Sequence, residues 1–225
     1  MLADGAAVIS TMEHALPAMR SGATWLQMST IGVAATTRAI ALARGRSDVV
    51  FVDVPVSGSV GPARAGTLII LASGPKQTID ALQPIFEALG RKTALLGDAG
   101  AGSRMKLVLN SWLAALVEGT AEVAALAKTP GVTLEQVAEC LHGGALDAPM
   151  VQSKLAKITA GTFDAEFSLA NAAKDVGLAL QAEAADGGTV ELPMLEALDR
   201  KWQSALARGY GDRDVSSVFL ALIGV

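Results

Sequence analysis

The chain has 225 residues, 51% of them hydrophobic and 18% charged, with a formal net charge of −4. That length holds one large domain or two modest ones, each with a real core, at roughly 150 residues per domain. The composition excludes a disordered chain, and the mild acidity without blocks of like charge excludes a nucleic-acid partner.

Cys140 is the one cysteine in the sequence, which excludes an internal disulfide framework and a thiolate metal cluster and suits a reducing compartment. A lone cysteine is expected as a small buried apolar residue. The opening "MLADGAAVISTMEHALP" lacks the basic and apolar regions of a secretory signal. The apolar run 107–127 is interrupted by Asn110, Glu118 and Glu122, which would be costly in a bilayer. These features predict a soluble, cytoplasmic protein with no membrane partner.

In chain order, Val8, Met12 and Leu16 recur at four-residue spacing and predict a first helix, with Asp4–Gly5 at its start. "TWLQM" predicts a strand at 24–28, and "TIGVAATTRAIALARGRS" a helix. "DVVFVDVPVSG" and "GTLIILASG" predict strands, "KQTIDALQPIFEALG" one helix and "KTALLG" a last strand. Helices interleaved with strands apolar on both faces predict an α/β layer around a mostly parallel sheet. From about residue 101 only helical patterns follow, near 103–128, 133–142, 147–160, 167–186, 191–208 and 214–223. Gly131, Gly143, Gly161, Gly187 and Gly209 stand between them as stops. The expected organisation is therefore an α/β domain over 1–100 and an all-α domain over 101–225 that opens on a long connecting helix. The α/β half starts with a helix and offers four recognisable strands, so the chain is expected to begin inside its fold, short of strands that would flank the sheet.

The candidate site gathers where strands end. After Asp53, Pro55 blocks the strand and Ser57, Gly58, Ser59 and Gly61 form a loop whose N–H groups can approach an anion or simply make a surface turn. Ser29 and Thr30 follow the strand "TWLQM" and either offer hydroxyls to the same crevice or cap the next helix. In "GDAGAGSRMKLVLN" a glycine cluster runs into the long helix. With Ser103 as N-cap, Lys106 falls at the third helical position, poor for a structural cation and good for a lysine that gives up a proton. Asn110, four residues on, shares its face and either holds a substrate oxygen or bonds locally. Lys174 and Asp175 interrupt an apolar helix and alone read as a solvated pair. His14 and His142 have no partners at metal-ligand spacing, so no metal site is predicted.

Three stretches, "DVPVSGSVGPARAGTL", "GAGSRMKLVLN" and "AAKDVGLAL", in this order and at these separations, resemble the β-hydroxyacid dehydrogenases, the group of 3-hydroxyisobutyrate dehydrogenase and tartronate semialdehyde reductase. The resemblance runs the length of the chain. It implies a truncated Rossmann-like domain, as in 6-phosphogluconate dehydrogenase, followed by an all-helical domain, with NAD or NADP as cofactor. It implies a small carboxylate-bearing substrate held by Ser57, Gly58 and Ser59, Lys106 as general acid/base and Asn110 orienting the substrate. Met1, Leu2, Ser29, Thr30, Lys174 and Asp175 would then contact the cofactor, and the helical domain would form a homodimer. Three departures are present: Ser59 replaces a usual glycine, Leu109 replaces a common asparagine, and the G-x-G-x-x-G unit that carries the pyrophosphate is absent. Two outcomes are thus expected to compete, a 3-hydroxy acid dehydrogenase and a catalytically silent relative that serves as an oligomerisation or binding module.

Overall fold

The computed structural model describes residues 1–129, 131–185, 187 and 190–224. They form two compact units, Met1–Leu109 with Gln181–Gly187, and Asn110–Leu180 with Gly188–Val225.

The first unit alternates helices and strands. Helix α1 (Gly5–Ala15) starts at Asp4, whose carboxylate accepts the Ala7 N–H at 2.8 Å. A 3₁₀ turn at Leu16–Ala18 follows, and the Arg46 guanidinium donates to the carbonyls of Leu16, Pro17 and Met19. That side chain satisfies acceptors a helix end would otherwise leave open. Strand β1 (Thr24–Gln27), helix α2 (Gly32–Arg44) and strand β2 (Val50–Asp53) make a β-α-β unit in which β1 and β2 are parallel. Trp25 lies opposite Phe51, ring edge to ring face at 4.9 Å, a geometry aromatic pairs prefer. Next come β3 (Val56–Ser57), the short helix α3 (Val60–Arg64) and β4 (Leu68–Ala72), then α4 (Lys76–Ala81), α5 (Gln83–Leu89) and β5 (Gly90–Leu95).

The single, mostly parallel sheet expected from the sequence is replaced by two small sheets, β1-β2 and β3-β4-β5. In the second, β5 is parallel to β4 and β3 is antiparallel to it. Pro55 is the cause: without an N–H it ends β2, and the chain turns so that Val56 and Ser57 pair with Ile70 and Ile69. Asp53 and Ser73 exchange backbone hydrogen bonds of 3.0 and 2.9 Å and join the two sheets. The helix expected over "KQTIDALQPIFEALG" is two, because Pro84 cannot donate to the preceding turn and instead opens α5. The core has two clusters, and β2 contributes to both, Phe51 to the first and Val52 to the second. Val8, Ile9, Leu16, Trp25 and Ile31 belong to one, and Val52, Val54, Ile70, Ile79 and Phe86 to the other.

Helix α6 (Ala101–Leu126) starts two residues ahead of Ser103, so Ser103 is not its N-cap but lies inside its first turn. The division between the units falls within this helix.

The second unit holds α6 from Asn110 onward, α7 (Leu134–Leu141), α8 (Pro149–Ala160), α9 (Leu169–Ala185) up to Leu180, α10 (Pro193–Ala207), a 3₁₀ turn at Val215–Ser217 and α11 (Val218–Leu222). Thr133 and Gln136 form a capping box for α7, and Gly161 closes α8 in the left-handed conformation at φ 64°. Trp202 is fully buried and its indole N–H donates to Glu118 Oε2 at 2.7 Å. Lys201 pairs with Glu118 and Glu122, so both carboxylates on the apolar α6 have partners within this unit. Lys154 and Asp214 form a buried ion pair at 2.8 Å. Cys140, expected in the core, is exposed, because α7 buries none of its residues.

Candidate active site

In the first unit the polar groups stand at the carboxyl ends of strands, where open α/β sheets bind ligands. Gln27, buried in the last position of β1, takes the Ser29 N–H on its Oε1 at 2.9 Å and donates its Nε2 to the Ser29 carbonyl at 2.7 Å. Ser29 is thereby held in one conformation, and its Oγ accepts the Leu2 N–H at 2.9 Å. Neither Ser29 nor Thr30 stands at the N-cap of α2, which is Ile31. Met1 and Leu2 are exposed beside it.

The Ser57–Gly58–Ser59 turn leaves β3, with Ser57 still in register with Ile69. Gly58 has φ 134°, and a Cβ there would meet Leu68 Cδ2 at 2.7 Å and Pro62 Cβ at 3.0 Å. Only glycine makes this turn without strain. Ser57 and Ser59 on either side are half-buried, and Ser59 is the residue before α3.

Lys106 is half-buried at the sixth position of α6, not the third. The helix end loses its hold on a charge beyond the first turn, so the dipole does not act on this lysine as the third position would have it. What the sequence did not disclose lies just ahead of it. Asp53, with 0% exposure, accepts the Ser103 N–H on Oδ2 at 2.7 Å and the Ser103 hydroxyl on Oδ1 at 2.8 Å. Ser73 Oγ lies 3.2 Å from Asp53 Oδ2 and accepts the Gly102 N–H at 2.9 Å. Burial pushes the Asp53 carboxyl up from its ordinary value, and the bonds from Ser103 and Ser73 offset only part of that. A lone carboxylate inside the apolar run "VVFVDV" was the one signal in the sequence for this group.

In the second unit Asn110, on the turn of α6 after Lys106, is buried and donates its Nδ2 to Asp175 Oδ2 at 2.5 Å. Lys174 Nζ lies 3.1 Å from Asp175 Oδ1. The Lys174–Asp175 pair, expected as a solvated patch, is thus half inside: Lys174 is partly exposed, whereas Asp175 is buried and committed to Asn110. An amide held by a carboxylate presents its carbonyl oxygen in a fixed direction. Among the described residues no group of three His, Cys, Asp or Glu side chains is placed to hold a metal ion.

A β-α-β unit with polar turns at its strand ends, continued by one long helix into an all-helical unit, is the build of a nicotinamide-dependent oxidoreductase. Residues 1–97 match the model of the NAD binding domain of 6-phosphogluconate dehydrogenase, and residues 100–222 match that of the NAD-binding unit of NADP-dependent 3-hydroxyisobutyrate dehydrogenase. The chain belongs to the β-hydroxyacid dehydrogenase family, that of 3-hydroxyisobutyrate dehydrogenase, and its cofactor is NAD or NADP. It is 31% identical to glyoxylate/succinic semialdehyde reductase 1 of Arabidopsis thaliana over 99% of this chain and 77% of that protein. It is 30% identical to 2-(hydroxymethyl)glutarate dehydrogenase of Eubacterium barkeri over 90% of this chain and 67% of that one. The 3-hydroxyisobutyrate dehydrogenase of Mycobacterium tuberculosis, solved with L-serine, superposes with a TM-score of 0.87 at 28% identity, covering 99% of this chain and 77% of that chain.

Proposed function

We propose that the chain transfers hydride between NAD or NADP and a small 3-hydroxy acid, with Lys106 as general acid/base. One observation carries this: Asn110, a turn beyond Lys106 on α6, is buried and oriented by Asp175. A buried, carboxylate-held amide is built to hold a substrate oxygen in one place. In the oxidising direction the substrate's C3 hydroxyl gives its proton to the neutral Lys106 amine, and the second Nδ2 hydrogen of Asn110, the first being held by Asp175, donates to that oxygen. A bound nicotinamide would supply the hydride acceptor for C3. In the reducing direction the Lys106 ammonium returns the proton to the carbonyl oxygen. Ser57, Gly58 and Ser59 hold the substrate carboxylate, on a turn that Gly58 makes without strain.

The residues present fit the nicotinamide end of a dinucleotide. Ser29, fixed by Gln27, stands beside the exposed Met1 and Leu2, a polar and apolar edge suited to a ribose and its base. The sequence holds no G-x-G-x-x-G, so no pyrophosphate cradle is assigned among these residues. Lys174, partly exposed on α9, is assigned to the cofactor's anionic groups. We also infer a homodimer through the helical unit, supported by the exposed apolar side of α6.

The test is a panel of small 3-hydroxy acids assayed by reduction of NAD and NADP. Lys106→Ala is expected to lower turnover by about 10²-fold or more while dinucleotide affinity by calorimetry stays within a few-fold. Ser57→Ala is expected to act on the Michaelis constant for the acid instead. Wild-type turnover in Lys106→Ala would remove the lysine from the mechanism. Absence of turnover across the panel would favour a silent oligomerisation or binding module.

A further inference from the structure

One buried carboxylate in the first unit has no part in the mechanism above. Asp53 closes β2, and its backbone is fixed to Ser73 by two hydrogen bonds that tie the two sheets together. Both side chains then turn to the first turn of α6. Asp53 takes the Ser103 N–H and hydroxyl, and Ser73 takes the Gly102 N–H. The first N–H groups of a helix normally find an acceptor in the residue just before it. Here Gly100 precedes the helix and has no side chain, so the acceptors come from strand positions some 30 and 50 residues upstream.

The fit is close enough to exclude a methyl group. A Cβ on Gly102 would stand 2.5 Å from the Leu71 carbonyl oxygen and 3.0 Å from that of Asp53. Thr36 Oγ1 of α2 lies 3.0 Å from Ser103 Oγ, so α2 also abuts this turn. A buried carboxylate is an expensive acceptor, since a serine or asparagine would cap the helix without placing a charge in the interior. Its position gives the reason. Four residues after Asp53 comes Ser57, the start of the substrate loop, and three residues after Ser103 comes Lys106, about 4.5 Å further along the helix.

We propose that Asp53 is a positioning residue for the lysine: its carboxylate locks the first turn of α6 onto β2 and β4 and so sets where Lys106 stands relative to the Ser57–Ser59 loop. The inference rests on the assignment of Lys106 as general acid/base. Two readouts keep it separate from that assignment, because neither needs turnover.

Asp53→Asn in the full chain keeps the shape but leaves one accepting oxygen where the Ser103 N–H, the Ser103 hydroxyl and the Ser73 hydroxyl arrive. Amide hydrogen exchange followed by mass spectrometry is expected to accelerate about ten-fold or more in peptides covering 100–106 and to stay at the wild-type rate in β4 and β5. Competitive labelling with acetic anhydride is expected to change the rate at Lys106 by about three-fold or more, with the exposed Lys76 as internal standard. Where turnover is measurable, kcat per folded molecule should fall by about 10-fold to 10²-fold with the Michaelis constant within a few-fold. A residue that merely stabilises the fold would speed exchange throughout the unit and leave both the labelling ratio and kcat per folded molecule unchanged, and that pattern overturns the proposal. So does wild-type exchange at 100–106. If Asp53→Asn does not fold, Ser103→Ala removes one donor to the same carboxylate and is expected to give the same pattern at reduced size. Wild-type exchange and labelling in that variant would also overturn it. Full turnover in Lys106→Ala would remove the lysine from the mechanism while leaving the exchange result standing.

Discussion

Gly102 has an ordinary backbone conformation, and what requires glycine there is space. A methyl group would press on the Leu71 carbonyl, and neither the strand nor the bonded helix turn can yield by the ångström needed. Gly102→Ala is therefore expected to destabilise the first unit by about 1 to 3 kcal/mol despite alanine's better helix propensity. Urea unfolding followed in the first unit by Trp25 fluorescence would show it, and an unchanged or raised midpoint would refute it. The contrast with Lys106 and Asn110 shows what a sequence discloses. Their chemistry is written in a four-residue spacing on a recognisable helix, and the Ser57–Gly58–Ser59 turn is written in adjacent residues. Asp53 and Ser103 are 50 residues apart, Asn110 and Asp175 are 65 apart, and no local period relates them. The corrected helix start follows from the same fact, since the acceptors for α6 come from another part of the chain and leave Ser103 free to lie inside the helix.

Among the elements of the second unit, α8 and the turn before α11 are joined by one ion pair. Lys154, with 4% side-chain exposure, reaches Asp214, with 0%, and Asp214 also accepts the N–H and hydroxyl of Ser216 and the N–H of Glu166. Burial alone would raise the Asp214 carboxyl, but the Lys154 and Ser216 bonds outweigh it and hold it below its ordinary value. The folded unit thus gives up this proton more readily than the unfolded chain. The stability it contributes is complete above the unfolded carboxyl's value, about 3.9, and is lost as pH falls below that through the folded value. Removing the cation alone strands a buried anion, so Lys154→Met is expected to cost about 3 to 5 kcal/mol at neutral pH. Towards acid the pair contributes less to the wild type and the variant is relieved of its unpaired anion, so the gap between their urea midpoints should shrink from pH 7 to pH 3. A gap that stays constant would show that the lysine acts through packing. Asp53, in the other unit, has the opposite sign: burial raises its carboxyl, so its contribution is greatest in acid and declines as pH rises through the folded value.

On the scale of the molecule, α6 is apolar on two sides, and its own unit covers one of them. Ala114, Val117, Ala121 and Ala124 are buried. On the other side Trp112 is 64% exposed, Val123 45% and Leu126 70%, and Gly119 is exposed with nothing within 4 Å of where a Cβ would stand. Trp112, Gly119 and Leu126 recur every seven residues, which on a helix returns within about 20° of the same side. They make a seam about 21 Å long, large at both ends and empty in the middle. Such a seam is its own complement. Two copies laid antiparallel across a two-fold axis at Gly119 bring each Trp112 onto the partner's Leu126, and the missing side chain at the centre lets the helices close. Sedimentation equilibrium at tens of micromolar is expected to find a dimer. Trp112→Glu should weaken it about 10³-fold, the effect of losing two aromatic anchors worth about 2 kcal/mol each. Gly119→Leu is the sharper variant. Its side chain meets nothing in the single chain and improves helix propensity by up to about 1 kcal/mol, so the monomer should unfold at higher urea while the dimer is lost. A Gly119→Leu protein that still sediments as the wild-type dimer would place the contact elsewhere, and a monomeric wild type would leave this seam without the second copy assigned to it.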